Sequence, residues 1–282
     1  MAVDCRTPAN TAKKLSESIC VKKVNSSASK LLILGIFAGA FIGFGAQLAT
    51  VAGQDMSNYL GIGFTKLIMG AVFSLGLILV VIAGAELFTG NNLIIISALD
   101  KRISWGKVFQ HWGIVYFANF LGSVLLVLLI YYSGLWKSSN YHVGGFALKI
   151  ANTKVNLSFV EALTRGILCN WLVCLAVWMA IASRYVIGKV VALVFPVMAF
   201  VASGYEHSIA NMFFIFKGIL LKSHYEVVAA SGLSPESLSN LNWNGFIFNN
   251  LIPVTIGNII GGGFFAAVLY WVVYLKPQKK LD

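Results

Sequence analysis

This 282-residue chain is poor in charge: Asp, Glu, Lys and Arg together make up 11% of it, and only ten residues are acidic. A soluble domain carries about 25% charged residues, so this scarcity, with a mean hydropathy of +0.81, excludes a soluble globular protein. Cysteine is also sparse. Cys5, Cys20, Cys169 and Cys174 show no CxxC spacing, and the last two share no helical face. A disulfide framework, a thiolate metal site and a redox motif are therefore not expected. Of four histidines, His111, His142, His207 and His224, only His207 is central to an apolar stretch. A facing pair of axial haem ligands is hard to assemble from them, and no cofactor or metal is implied. The first thirty residues contain no apolar core, so a cleavable signal peptide is not expected there.

What the chain does have is apolar length: 58% of its residues are hydrophobic. Crossing a bilayer takes about 20 mostly apolar residues, and six segments qualify, approximately 31–52, 67–99, 108–135, 157–183, 190–216 and 246–275. The sequence reads as an all-α integral membrane protein with six transmembrane helices. The formal charge is +11, which raises a nucleic-acid reading. The basic residues, however, cluster in Arg6–Lys30, Lys101–Lys107, Arg184–Lys189 and Lys276–Lys280, without basic-aromatic recognition motifs. These are alternate connections, which places both termini in the cytoplasm by the positive-inside rule. Residues 1–30 form a cytoplasmic arm, 31–276 the membrane domain and 277–282 a cytoplasmic tail. In the arm, Thr7-Pro8 is a helix start, and Ala12, Leu15 and Ile19 recur at helical spacing opposite lysines. Either an amphipathic helix at the membrane surface or a solvated arm fits.

Two of the six segments carry breaks. Segment five holds Ser203-Gly-Tyr-Glu-His-Ser-Ile-Ala-Asn211 at its middle, and segment two holds Glu86-Leu-Phe-Thr-Gly-Asn91. An ionisable group at membrane depth costs roughly 2.5 kcal/mol or more, so it usually faces a cavity and serves a function. A helix broken near mid-membrane is how channels and transporters build a site. His207 titrates near neutrality and can pass a proton, which makes it the prime candidate. Glu206, and Glu86 in the other break, would support the freed backbone amides. Glu161 and Arg165 sit one helical turn apart as an ion pair. The halves share E-x-x-x-x-N at the breaks, N-x-x-G at Asn119 and Asn258, and Gly-Ile at Gly35 and Gly166. With three crossings each, the second half would be inverted relative to the first, which is an aquaporin-like inverted repeat. Gly257 and Gly261–Gly263 allow close helix approach, and the glycines of segments three and six suit a packed oligomer.

These stretches, together with Gly166-Ile-Leu-Cys-Asn-Trp-Leu-Val-Cys-Leu-Ala-Val-Trp178 and Asn250-Leu-Ile-Pro-Val-Thr-Ile-Gly-Asn-Ile-Ile-Gly-Gly263, resemble the signatures of the formate/nitrite transporter family. The resemblance spans essentially residues 8–276. It implies a pentamer of aquaporin-like protomers, each with its own pore, in the bacterial cytoplasmic (inner) membrane. It implies a channel for small monovalent weak-acid anions (formate, nitrite or hydrosulfide) rather than an enzyme. By matching position, Leu87, Phe88 and Thr89 would form the loop in the first break. Phe73, Leu77 and Phe200, with Leu87 and Phe88, would make apolar constrictions around His207. Lys154 would serve the vestibule, and Thr89, Asn170 and Asn258 would be polar groups along the path. Tyr205 stands where members often carry phenylalanine. A channel for small neutral solutes of the aquaporin type is the alternative, but its Asn-Pro-Ala triplets are absent from this sequence.

Overall fold

The computed structural model describes residues 5–277; of the tail assigned to 277–282, all but the first residue lie outside them. Among the described residues the chain is helical, its one β-type contact an isolated bridge between Cys5 and Ser183. A short amphipathic helix, α1 (8–24), precedes α2 (Ala28–Gly53), α3 (Ser57–Gly84), α4 (Gly90–Leu99) and α5 (Trp105–Tyr132). The second half runs through α6 (His142–Val155), α7 (Phe159–Ala182), α8 (Val186–Ala202), α9 (Ser208–Leu221), α10 (Tyr225–Ser231) and α11 (Gly245–Tyr274). Five of these, α2, α3, α5, α7 and α11, are long and apolar enough to cross a bilayer. Segment five is divided between α8 and α9, of 17 and 14 residues.

Both breaks are made in the same way. Gly84 ends α3 with φ +92° and Gly204 ends α8 with φ +74°, left-handed conformations that glycine adopts without steric cost. The amide following each donates back five residues, Ala85 to the Val80 carbonyl and Tyr205 to the Phe200 carbonyl, at 2.9 and 3.0 Å. That is the closure of a Schellman cap. After a short extended stretch each chain resumes as α4 or α9. Segment two begins earlier than the apolar pattern suggested, because the polar residues from Ser57 already join α3 ahead of its apolar run.

The helices pair through glycines. On α2 and α5, a Cβ at Gly39 would meet the Asn119 carbonyl and one at Gly122 the Ile36 carbonyl. On α7 and α11, a Cβ at Gly257 would meet the Leu163 carbonyl and one at Gly261 the Ile167 carbonyl. Gly122, Gly257 and Gly261, among the glycines expected to support an oligomer, are therefore spent on contacts inside the chain, because only a residue without Cβ lets these backbones touch. Helix α1 buries Ala12, Leu15 and Cys20 against the helical body, with the Ser16 carbonyl accepting from Ser97 at 2.7 Å and its hydroxyl donating to Asp100 at 2.6 Å. We call this end of the molecule the arm side.

Candidate functional site

The two breaks meet at His207. It is the N-cap of α9, and its Nδ1 accepts the Ala210 backbone N–H at 3.1 Å. With Nδ1 used as an acceptor, the neutral ring carries its proton on Nε2. That N–H points at the Thr89 hydroxyl in the other break, 2.9 Å away. Thr89 is itself pinned, since its carbonyl accepts from Asn92 and Asn170, both at 3.1 Å, and from the Cys174 thiol at 3.4 Å. The Phe200 ring stacks on the imidazole with centroids 6.0 Å apart, and Phe73 meets Phe200 edge-on at 5.8 Å.

Cavities flank this pair. One of about 140 Å³ is bounded by Phe73, Phe200, His207, Phe214 and Lys154. It shares Met69, Lys154 and Glu206 with a wider vestibule of about 370 Å³ on the far side, which is rimmed by Lys66 and Arg165. On the arm side a cavity of about 410 Å³ is lined by Leu77 and Leu87 and by Leu15, Ile19 and Lys23 of α1. Phe73 and Leu77 lie one turn apart on α3, so the apolar girdle is continuous along that helix.

The supporting bonds occur twice. Asn258 Oδ1 accepts the freed Ser208 amide at 2.9 Å, while its Nδ2 donates to the carbonyls of Gly166 and Glu206 at 2.8 and 2.9 Å. Asn119 repeats each bond with the Phe88 amide and the carbonyls of Gly35 and Glu86, at 2.9, 2.8 and 2.9 Å. Glu206 accepts from Asn211 at 2.6 Å, from Asn250 at 3.2 Å and from Lys154 at 2.8 Å. Glu86 accepts from Asn91 at 2.8 Å and Lys23 at 2.6 Å, with His111 Nε2 at 3.8 Å in the place of Asn250. Lys23 precedes Gly35 by the same interval as Lys154 precedes Gly166.

The structure thus gathers His207, Phe73, Phe200, Lys154 and Glu206 at the smaller cavity and Leu77 and Leu87 at the arm-side one, with Thr89 bonded to His207 between the breaks. It corrects three expectations. The asparagines, not the glutamates, hold the freed amides; Glu86 and Glu206 instead tie lysine and asparagine side chains to the breaks. Phe88 turns away, its ring packed on Trp112 and Tyr116 at 5.9 and 4.8 Å, because its amide is committed to Asn119. Asn170 and Asn258 are fully buried and bond to each other, Asn170 Nδ2 donating to the Asn258 carbonyl at 2.7 Å; neither lines the three cavities. Glu161 and Arg165 do approach, at 3.6 Å, but Glu161 chiefly closes a capping box with Ser158. Tyr205 borders the smaller cavity. Lys23, Asn250 and His111 were not anticipated in any role, although Lys23 could have been found from its register with Lys154.

Two half-helices meeting end to end, an apolar girdle with one polar pair inside it, and a cavity on either side define a membrane channel or transporter. The chain belongs to the formate/nitrite transporter family, whose model matches residues 9–272. It is 44% identical to the formate channel FocA of Escherichia coli K12, over 98% of this chain and 96% of that protein. It is 41% identical to a probable formate transporter of Methanothermobacter thermautotrophicus, over 98% and 100%. Among solved structures it resembles a pentameric formate channel with formate bound (TM-score 0.79, 41% identity, 88% of this chain and 98% of that one). It also resembles an ion channel of the same family (TM-score 0.78, 30% identity, 94% and 98%).

Proposed function

We propose that this protein conducts formate and similarly small monovalent weak-acid anions, such as nitrite and hydrosulfide, through each protomer of a pentamer. The observation that carries this reading is the His207–Thr89 bond at the meeting of the two breaks, set between apolar rings. A bare anion entering such a girdle faces a Born penalty of order tens of kcal/mol in the idealised limit, which phenylalanine and leucine cannot offset. Where the two breaks meet, the Nε2–H of His207 and the hydroxyl of Thr89 face each other, and an anion reaching them exchanges the His207–Thr89 bond for hydrogen bonds of its own. Passage then proceeds either as the anion held by these donors or as the neutral acid. In the second case His207 takes a proton from water in a flanking cavity to become imidazolium, gives its Nε2 proton to the anion and returns to the neutral ring. Lys154 on the far side draws anions toward the girdle, and Lys23 occupies the matching position on the arm side.

In this reading α8 and α9 together make the sixth crossing. The doubled network around Asn119 and Asn258 supports an aquaporin-like inverted repeat. The basic connections on the arm side support an inner-membrane protein with both termini in the cytoplasm. The neutral-solute alternative is not favoured, since the relatives named above are formate channels and an ion channel. The test is flux into proteoliposomes. Labelled formate should enter, nitrite and hydrosulfide should compete, and glycerol should not. Glycerol entry with no formate entry would overturn the proposal.

A further inference from the structure

A second concave site lies outside the pore, on the arm side. Arg6 and Lys14 from the arm, with Arg184 and Lys189 from the connection and first turn of α7–α8, rim a pocket of about 430 Å³ whose wall includes Val81 and Ile181. Arg6 is held there by the backbone. Its amide donates to the Ala182 carbonyl at 2.9 Å and its Nη1 to the Ile181 carbonyl at 2.6 Å, while Cys5 bridges to Ser183. Of the other cations on this side, Lys23 pairs with Glu86, Arg102 with Glu17 and Asp100, and Lys107 with Asn25, while Lys13, Lys22, Lys30 and Lys101 do not line the pocket. The four of the pocket have no carboxylate partner among the described residues. Four like charges drawn to one concavity repel each other unless an anion joins them, and Arg forks suit phosphate oxygens.

The setting narrows the anion. Immediately beyond Arg184, Tyr185, Val186 and Ile187 are 53%, 61% and 72% exposed, an apolar edge at the start of a membrane helix. The pocket thus joins a polar rim to apolar walls at the level where headgroups meet hydrocarbon. We propose that it binds the phosphate of an anionic phospholipid of the inner leaflet, with an acyl chain along Val81 and Ile181. This rests on the arm side being the cytoplasmic side. Basic pockets at that face between membrane helices recognise such headgroups. Because two cations come from the arm and two from the α7–α8 connection, the bound lipid fastens the arm to the body beside the cavity lined by Leu77 and Leu87.

The test uses the full chain in mild detergent, delipidated and titrated in native mass spectrometry with phosphatidylglycerol or with phosphatidylcholine. Phosphatidylglycerol should be retained and phosphatidylcholine should not. Each lysine or arginine near an anionic surface is worth roughly fivefold in binding, so K14Q/R184Q/K189Q should bind phosphatidylglycerol on the order of a hundredfold more weakly. A control lacking three cations elsewhere, K137Q/K149Q/K222Q, should bind as the parent does. Should the triple variant fail to fold, K189Q alone should show the single fivefold step. Equal retention by K189Q and parent, or equal retention of the two lipids, overturns the proposal. Inorganic phosphate displacing the lipid at concentrations equal to those of the lipid would assign the site to a soluble oxyanion and overturn it too. Since the readout is lipid mass, a protein that retains phosphatidylglycerol but passes no formate would count against the transport reading alone.

Discussion

His207 Nε2 lies 2.9 Å from the Thr89 hydroxyl, joining the two broken helices by their side chains at the point where both lack backbone partners. Because Nδ1 is held by the Ala210 amide, the ring cannot flip to offer its other nitrogen without uncapping α9. Thr89→Val keeps the shape of the site and removes the hydroxyl. Losing one buried hydrogen bond is worth about 1 kcal/mol, so formate flux should fall by roughly tenfold or less with a small drop in melting temperature, while Thr89→Ser should stay near the parent in both. Unaltered flux in Thr89→Val would exclude the hydroxyl from the path.

Lys154 and Glu206 are 2.8 Å apart with side chains 13% and 6% exposed. Removing one partner of a pair so buried costs about 3–5 kcal/mol. Lys154→Gln should therefore lower the melting temperature as well as flux at low formate, and part of the flux loss should vanish at high ionic strength, where charges are screened over about 8–10 Å. Lys149→Gln, on the exposed side of α6, should leave both unchanged. A salt-independent loss would remove Lys154 from anion recruitment and leave it a structural role.

Asn119 and Asn258 each hold one amide and two carbonyls. Either asparagine changed to alanine strands three buried groups at about 1–3 kcal/mol each, enough to prevent recovery of folded protein. Aspartate, which keeps the acceptor for the amide but offers no donors to the carbonyls, should fold less well than the parent. Parental melting temperatures in either alanine variant would show that the breaks are held by other means.

Helix contact makes a separate stability test. Gly122→Leu and Gly261→Leu each push a side chain into a facing carbonyl, so both should abolish folded protein in detergent-solubilised membranes. Gly113→Leu on α5, with open space around its Cβ position, should be tolerated. Comparable yields from all three would contradict the α2–α5 and α7–α11 packing.

The apolar segments and both breaks were legible in the sequence, because a carboxylate, an imidazole and two asparagines interrupt otherwise unbroken hydrophobic runs. The doubled E-x-x-x-x-N and N-x-x-G patterns were legible too: Glu86–Asn91 and Glu206–Asn211 prove to be hydrogen-bonded pairs, while in N-x-x-G the asparagine holds the break and the glycine makes the helix contact. What could not be read was direction. Glu86 and Glu206 accept from side chains distant in sequence, Lys23 and Lys154, and nothing local says which acceptor a lysine will find. Phe88 adjoins the break but points away, since the Asn119 contact to its amide, set by tertiary packing, turns the ring. Helix α6 lay in a stretch read as a connection, for its glycines and lysines interrupt the apolar period.

The most direct test of a proton-assisted anion path is formate flux in proteoliposomes stepped from mildly acidic to mildly alkaline pH, with formic acid itself held at one concentration throughout. Any remaining pH response then belongs to the protein or to the anion, not to the bulk supply of neutral acid. His207→Asn retains a hydrogen-bond donor of similar size but cannot exchange a proton in this range. The variant should fold, conduct more slowly and lose the parental pH response, and His207→Phe should block passage. A His207→Asn protein with the parental rate and pH profile would contradict the account and leave His207 a polar wall residue beside Thr89.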